Sequence, residues 1–284
     1  DRLRKMFQYC YMDDLKTRII IFVSDVTDQY EQNLHQMHEL RTALNNAEIA
    51  NRAKSEFVSR ISHDIRTPIG AIQNLTKFAR QDIDVRDNLV RDLNRIDSSS
   101  QFLLSLINDV LDISKLDSGA VKLNPIPCSF KEYKDGICSI MEPMCAEKNQ
   151  QFEIFLPYEG ADIYPVVDKV RLNQITLNIL SNAVKYTPEG GKIKYISKST
   201  FSEDGIFNLC YQIVDNGIGM SKEFQEHMFE DFSQEYDNIH RPKGITGTGL
   251  GLSIVKKMIT LMKGSIEIES ELGEGTSVTV SIPL

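Results

Sequence analysis

The run Ser62-His63-Asp64-Ile65-Arg66-Thr67-Pro68 sets an imidazole beside a carboxylate and puts a hydroxyl four residues on. On a helix that spacing returns the threonine to the face of the histidine about one turn later. A neutral imidazole nitrogen is a nucleophile, and a neighbouring carboxylate can accept the other ring N–H and leave the attacking nitrogen bare. Counting sevens from Met37 gives Leu44, Asn51, Val58, Ile65 and Ile72, and a second series gives Leu40, Ala47, Lys54, Ile61, Pro68 and Leu75. These are the seam positions of a coiled coil. His63 lies two residues after Ile61 and two before Ile65, on the side turned away from a partner helix. Pro68 removes a helix hydrogen bond and is expected to kink or loosen the helix just past the nucleophile. A single exposed histidine is ordinarily only a surface residue, so its meaning depends on the segments downstream of it.

Three segments further on have the chemistry of a nucleotide pocket. In Asn178-Ile-Leu-Ser-Asn182-Ala-Val-Lys185-Tyr186 the two asparagines are four apart and Lys185 is three beyond the second, so all three share one helix face while Leu177, Ile179 and Leu180 can face a core. An amide oxygen is a hard neutral ligand suited to Mg²⁺, and lysine is a point charge suited to phosphate. Asp215 ends the apolar run that begins at Phe207, and Gly217 and Gly219 come directly after it. A carboxylate at a strand end can accept from an exocyclic amino group such as that of adenine, and glycines let backbone approach a flat ligand. Taken alone, Asp-Asn-Gly-x-Gly marks a turn. Gly247-Thr248-Gly249-Leu250-Gly251-Leu252 opens a helix, where backbone amides attract phosphate. No Gly-Lys-Ser/Thr comes after it and no βαβ unit surrounds these glycines, so neither a Walker loop nor a dinucleotide fingerprint fits.

The order and spacing of these boxes, from His63 to the C-terminus, resemble a sensor histidine kinase of bacterial two-component signalling. The resemblance covers more than three quarters of the chain. It implies that His63 is the phosphoacceptor, with Asp64 and Thr67 as its catalytic companions, and that Asn182 holds Mg²⁺. Asn178, Lys185 and Tyr186 would line the phosphate and ribose side, Asp215 with Gly217 and Gly219 the adenine side, and Gly247, Thr248, Gly249, Leu250 and Gly251 the phosphate loop. Met228-Phe229-Glu-Asp-Phe232 resembles the aromatic box before a lid at 233–246, whose Arg241 and Lys243 are the cations for phosphate contact. Aspartate at position 64, where the family more often has glutamate, keeps the charge and shortens the reach. The resemblance further implies ATP and Mg²⁺, a homodimer, a response-regulator receiver domain as acceptor of the phosphoryl group, and an upstream sensor domain.

The implied fold is an all-α antiparallel helical hairpin that pairs into a dimeric four-helix bundle, followed by an α/β sandwich of the gyrase, Hsp90 and MutL ATPase type. The expected domains are 1–27, the C-terminal remnant of a PAS-like sensor; 28–55, a signalling coiled-coil helix; 56–119, dimerisation and phosphotransfer; and 120–284, the ATP-binding domain. Within them, helices are expected over 28–80 and from Leu89 to near Gly119, joined by a polar turn at 82–88. Leu89, Leu93, Ile96, Leu103, Ile107 and Val110 define the second of these helices, and because a hairpin has too little core alone, two copies are expected to form the bundle. Strands are expected at 18–23, 152–156, 163–167, 192–196, 207–215, 264–269 and 277–282, and helices at 131–148, 169–185 and 250–262.

Composition fits without deciding. The 284 residues suffice for about two domains, and a net charge of −8 argues against nonspecific nucleic-acid binding. Five cysteines without Cys-x-x-Cys spacing argue against a zinc site or disulfide framework and for a reducing cytoplasm. No apolar run approaches the roughly 20 residues of a membrane span, so no direct membrane contact is expected from this stretch. The sequence opens on Asp1 and is expected to be a fragment, with any membrane anchor of the parent outside it. The enzyme reading competes with a dimeric scaffold that binds ATP without turnover. A gyrase-like ATPase without phosphotransfer leaves an outward His63 in a heptad hairpin unexplained.

Overall fold

The computed structural model describes residues 5–11, 19–25, 27–81, 83, 85–157, 164–201, 207–235 and 247–284. The chain divides into two units, Asp1–Ser62 and His63–Leu284. In the first, β1 (Lys5–Tyr11) pairs antiparallel with β2 (Ile19–Asp25). The sequence pattern foresaw the second strand and not the first. Asp25 Oδ1 accepts from the backbone N–H of Thr27 at 3.0 Å and from its hydroxyl at 2.6 Å. That closes the strand onto the start of α1 (Thr27–Gln81) and satisfies a helix donor that would otherwise be unpaired.

The second unit takes up α1 at His63. Pro68 sits inside the helix without ending it, and hydrogen-bonded helix continues to Gln81. The return helix α2 (Arg86–Asp117) begins three residues before the expected Leu89. Asp87 in its first turn favours the positive end of the helix dipole, and the polar character of 86–88 is that of a solvated first turn rather than of a loop. The apolar repeat that defines α2 is buried only in part within one copy. Leu93 and Ile107 remain exposed, whereas Leu106 and Ile113, seven apart, are almost wholly buried. A heptad count on one helix cannot see that part of α2 packs against the α/β domain, and this rotates the buried stripe.

That domain is a mixed sheet covered by helices. Its strand order is β4 (Gln151–Phe155), β6 (Lys192–Ser197), β8 (Phe207–Asp215), β10 (Gly275–Pro283), β9 (Ser265–Glu271), with β7 (Thr200–Phe201) paired to β8. Among the described residues only β4 and β6 run parallel; the remaining pairs are antiparallel. Ile126–Pro127 (β3) and Val166–Val167 (β5) form a separate short ladder. The predicted strand at 163–167 shrinks to β5, with 163 outside the described residues.

Alternation along β8 buries Phe207, Leu209, Tyr211 and Ile213. Against that face lie α3 (Phe130–Glu147), α4 (Lys169–Tyr186) and, after the one-turn α5 (Lys222–Gln225), α6 (Gly251–Leu261); α3, α4 and α6 contribute Ile137, Met141, Ile175, Leu180, Ile254 and Met258 to the core. Three buried tyrosines satisfy their hydroxyls within this core. Tyr133 bonds Thr176 at 2.7 Å, and Thr176 donates to Tyr211 at 3.0 Å. Tyr133 and Tyr195 hydroxyls lie 3.4 Å apart, and burial pushes the Tyr133 hydroxyl up to about 12. Unpaired, each such hydroxyl would cost about 1–3 kcal/mol. Asp168 caps α4 by accepting from Arg171 N at 3.1 Å and also takes the N–H of Asn124 at 2.9 Å, so one carboxylate fixes both the start of the site helix and the segment that leads into β3.

Candidate active site

His63 projects from α1 with 78% of its side chain exposed. Its Nδ1 lies 3.1 Å from Asp64 Oδ1, the pairing that leaves Nε2 bare when Nδ1 carries the proton. Thr67 lies on the same face, and its hydroxyl donates to the His63 carbonyl at 3.2 Å. The hydroxyl proton is thus held by the backbone while the oxygen keeps a lone pair for another donor. Pro68 has no N–H to return to the Asp64 carbonyl, so the helix is one bond short beside the nucleophile.

A cleft of about 680 Å³ opens between α4, the end of β8 and the segment before α6. Asn178, Asn182, Lys185 and Tyr186 line one wall, as their spacing on α4 requires. The Lys185 ammonium lies 5.0 Å from the centroid of the Tyr186 ring, an attraction that holds the cation against the helix end. Asp215 lines the cleft together with the apolar residues Ile213, Met220, Phe224, Met228 and Val278. Burial pushes its carboxyl up to about 6, against hydrogen bonds from the backbone of Gly217, at 2.8 Å, and of Thr276.

The glycines divide by task. Gly219 has φ +67° and a side chain there would overlap the Glu271 carbonyl, so only glycine lets the loop after β8 cross the β9 end. Gly249, at φ +71°, packs as closely on the backbone of Phe232 and Ser233. Any side chain at Gly247 would displace the Lys185 ammonium. Gly217 lies against Asp215 Oδ1 and the Tyr186 carbonyl, so it binds the loop together rather than lining the cleft. Gly251 does line it, beside the Asn182 amide.

Two sequence expectations need revision. Leu250 does not reach the cleft: it is fully buried, and Leu252 faces the cavity instead. The helix starts at Gly251 with Leu250 as its N-cap, and the Leu250 side chain packs into the core. Thr248 lines the cleft, but its hydroxyl donates to Asp109 Oδ2 of α2 at 3.0 Å. Arg241 and Lys243 lie outside the described residues, as does the segment 236–246.

Sequence reasoning missed the contribution of α2. Phe102, Ser105 and Asp109 line the same cleft. Further along α2, Asp112 Oδ2 accepts from Gln174 at 2.6 Å, and Asp117 pairs with Lys257 at 2.9 Å. Desolvation raises the Asp109 carboxyl above its usual range despite the Thr248 bond. An acidic residue at each of 109, 112 and 117 was the available signal, but it reads equally as a solvated helix face.

Among the described residues no group of three or more histidine, cysteine or acidic side chains could hold a metal ion, and no helix is long and apolar enough to cross a membrane. The family model "His Kinase A (phospho-acceptor) domain" matches residues 53–119, and "Histidine kinase-, DNA gyrase B-, and HSP90-like ATPase" matches 167–284. The chain belongs to the sensor histidine kinases.

Among sensor histidine kinases it is 32% identical over 269 residues to the autoinducer 2 sensor kinase/phosphatase LuxQ of Vibrio parahaemolyticus, covering 94% of this chain and 30% of that one. The chain therefore spans under a third of such relatives. It is also similar to full-length ShkA, solved in complex with AMPPNP, at 27% identity and a TM-score of 0.56, over 80% of this chain and 45% of ShkA. The histidine kinase ThkA, solved with the response regulator protein TrrA, shares the fold at a TM-score of 0.61 and 22% identity, over 98% of this chain and 74% of that one.

Proposed function

We propose that this chain is the catalytic core of an ATP-dependent protein-histidine kinase that phosphorylates His63 and passes the phosphoryl group to an aspartate of a response regulator. One observation carries the reading: an exposed imidazole, held at Nδ1 by Asp64, stands on the same chain as a cleft lined by both the partly buried, desolvated carboxylate of Asp215 and the Lys185 ammonium. The adenine amino group would donate to Asp215, and the phosphates would lie along Lys185, Tyr186 and the glycine segment. Arg241 and Lys243 join the phosphate side in this reading. Nε2 attacks the γ-phosphorus in line, the bond to the β-phosphate oxygen breaks, and ADP leaves with that electron pair while Asp64 accepts the Nδ1 proton.

The cleft suits Mg²⁺ in one specific way. Its donors are the amides of Asn178 and Asn182 rather than a carboxylate cluster, which fits an ion that keeps most of its sphere for phosphates and water. Asn182 would be its ligand, and the ion would neutralise phosphate oxygens during transfer.

Thr67 serves the reverse reaction in this account, because its oxygen can accept from a water aimed at a phosphorylated regulator aspartate. The apolar residues exposed on both helices, among them Ile69, Phe78, Val90, Leu93, Leu104, Ile107 and Leu111, support pairing with a second copy as a four-helix bundle. The β1–β2 ladder is read as the end of an upstream sensor domain, and the fragment as cytoplasmic within a membrane-anchored parent. The domain limits 1–27, 28–55, 56–119 and 120–284 are part of the same proposal. The test is incubation with γ-labelled Mg-ATP and then with a purified receiver domain. Label on the chain that then moves to the regulator supports the kinase; nucleotide binding without label rejects it.

A further inference from the structure

The last turn of α4 carries Lys185 and Tyr186, and its carbonyls are acceptors that the helix itself cannot satisfy. The Ala183 carbonyl takes the N–H of Thr187 at 3.0 Å, and the Tyr186 carbonyl takes that of Ile218 at 3.2 Å. The two between them are met from elsewhere. Lys148 Nζ donates to the Val184 carbonyl at 2.9 Å and to the Lys185 carbonyl at 3.3 Å. Gln150 Nε2 joins at Val184, 3.1 Å, and takes the Thr187 carbonyl at 2.7 Å. Both side chains come from the tight turn between α3 and β4, where Asn149 has φ +53°. Of these donors Lys148 carries the formal charge, and it stands at the negative end of the α4 dipole, where a cation is favoured. It also lines the cleft.

We propose that Lys148 is a positioning residue for nucleotide binding: it fixes the last turn of α4 and thereby the set of Lys185 and Tyr186 toward the phosphates. The inference rests on the nucleotide reading above. Removing the ammonium takes a charged donor from both the Val184 and the Lys185 carbonyls, at the turn that must present a cation beside Gly247. The adenine end is built by β8 and the loop after it, which meets the α4 turn through the Ile218 N–H at the Tyr186 carbonyl, whereas the bonds of Lys148 go to the Val184 and Lys185 carbonyls. The consequence is a split between the two halves of one ligand.

The experiment titrates Mg-ATP and adenosine into the purified chain, its Lys148→Met variant and its Lys148→Arg variant, following adenosine by NMR and ATP by calorimetry. Wild-type protein that binds neither ligand removes the nucleotide reading itself and is assessed first. With wild-type binding in hand, Lys148→Met is expected to weaken ATP about tenfold, the scale of a lost charge-assisted bond, while adenosine binds as before. Lys148→Arg should restore ATP affinity to within about twofold, since arginine can also donate to terminal carbonyls. Unchanged ATP affinity in Lys148→Met overturns the proposal. So does an equal loss of ATP and adenosine, which marks a structural role for the whole domain.

Discussion

The helix surface around His63 and the cleft around Asp215 solve opposite problems with similar residues. Each holds an aspartate beside a group that donates to it. His63 stands largely in water with Asp64 half-buried next to it, while Asp215 is desolvated and its carboxyl is raised to about 6. In the proposed function His63 meets first a nucleotide and then a regulator, which requires it to be approachable from outside, so its reactivity can owe little to burial. A group that reads one base gains by excluding water, since its hydrogen bond then competes with no solvent. Recognition energy is thus gathered in the cleft and chemistry is displayed on the helix.

The sharpest way to break this division is to remove the displayed atom. His63→Gln should reduce autophosphorylation to background while ATP affinity stays at the wild-type value, because the residue lies outside the cleft. Any label retained by that protein, measured after gel separation, would move the phosphoacceptor elsewhere. Asn182→Asp tests the other region. It keeps the size of the side chain, places a negative charge beside the phosphates and exchanges a neutral ligand, so Mg-ATP turnover should fall on the order of a hundredfold. Unchanged rates would refute a metal role for that amide.

Two substitutions on α1 separate forward from reverse chemistry. Asp64→Asn should slow autophosphorylation about thirtyfold, within the span of general-base effects, because an amide takes no proton and can present a donor to Nδ1. Thr67→Ala should spare autophosphorylation and slow regulator dephosphorylation about tenfold. Both are assayed on one dimer preparation with a receiver domain supplied. Equal loss of both activities in the threonine variant would assign Thr67 to the helix, through its bond to the His63 carbonyl.

The smallest expected effect is a pH dependence from the cleft. Asp215 has a folded value raised from 3.8 to about 6, so its protonated form is the one the fold favours. Its contribution to stability is therefore greatest below the unfolded value and is lost as pH rises through about 6. ATP affinity is expected to run the other way, since in the proposed function the ionised carboxylate accepts from the adenine amino group. Affinity should drop as pH falls below about 6, and Asp215→Asn should weaken ATP about tenfold and flatten that profile. A variant with the wild-type pH profile would show that another group titrates.

What could be read in the sequence depended on how local the cause was. The wall of Asn178, Asn182 and Lys185 is set by helical spacing, and β8 by its apolar run ending at Asp215, because both causes lie within one element. That the Leu250 side chain is buried while Leu252 lines the cleft was not legible, because it depends on what packs beneath the start of α6. The burial of Leu106 and Ile113 on α2 was not legible because it depends on what packs against that helix. Asp109, Phe102 and Ser105 were invisible for the same reason: they reach the cleft from another part of the chain, and Thr248 meets Asp109 across 139 residues of sequence. Lys148 likewise acts on a helix whose end lies 36 residues away.

The central claim is that the phosphoryl group of ATP comes to rest on His63, and the most direct measurement is its location. The wild-type chain, incubated with Mg-ATP and digested under alkaline conditions, should yield one phosphopeptide containing residues 62–66, with the phosphate on the imidazole, stable in base and lost in acid. An unphosphorylated His63 peptide together with consumed ATP, or acid-stable phosphate on Ser62 or Thr67, would contradict the account.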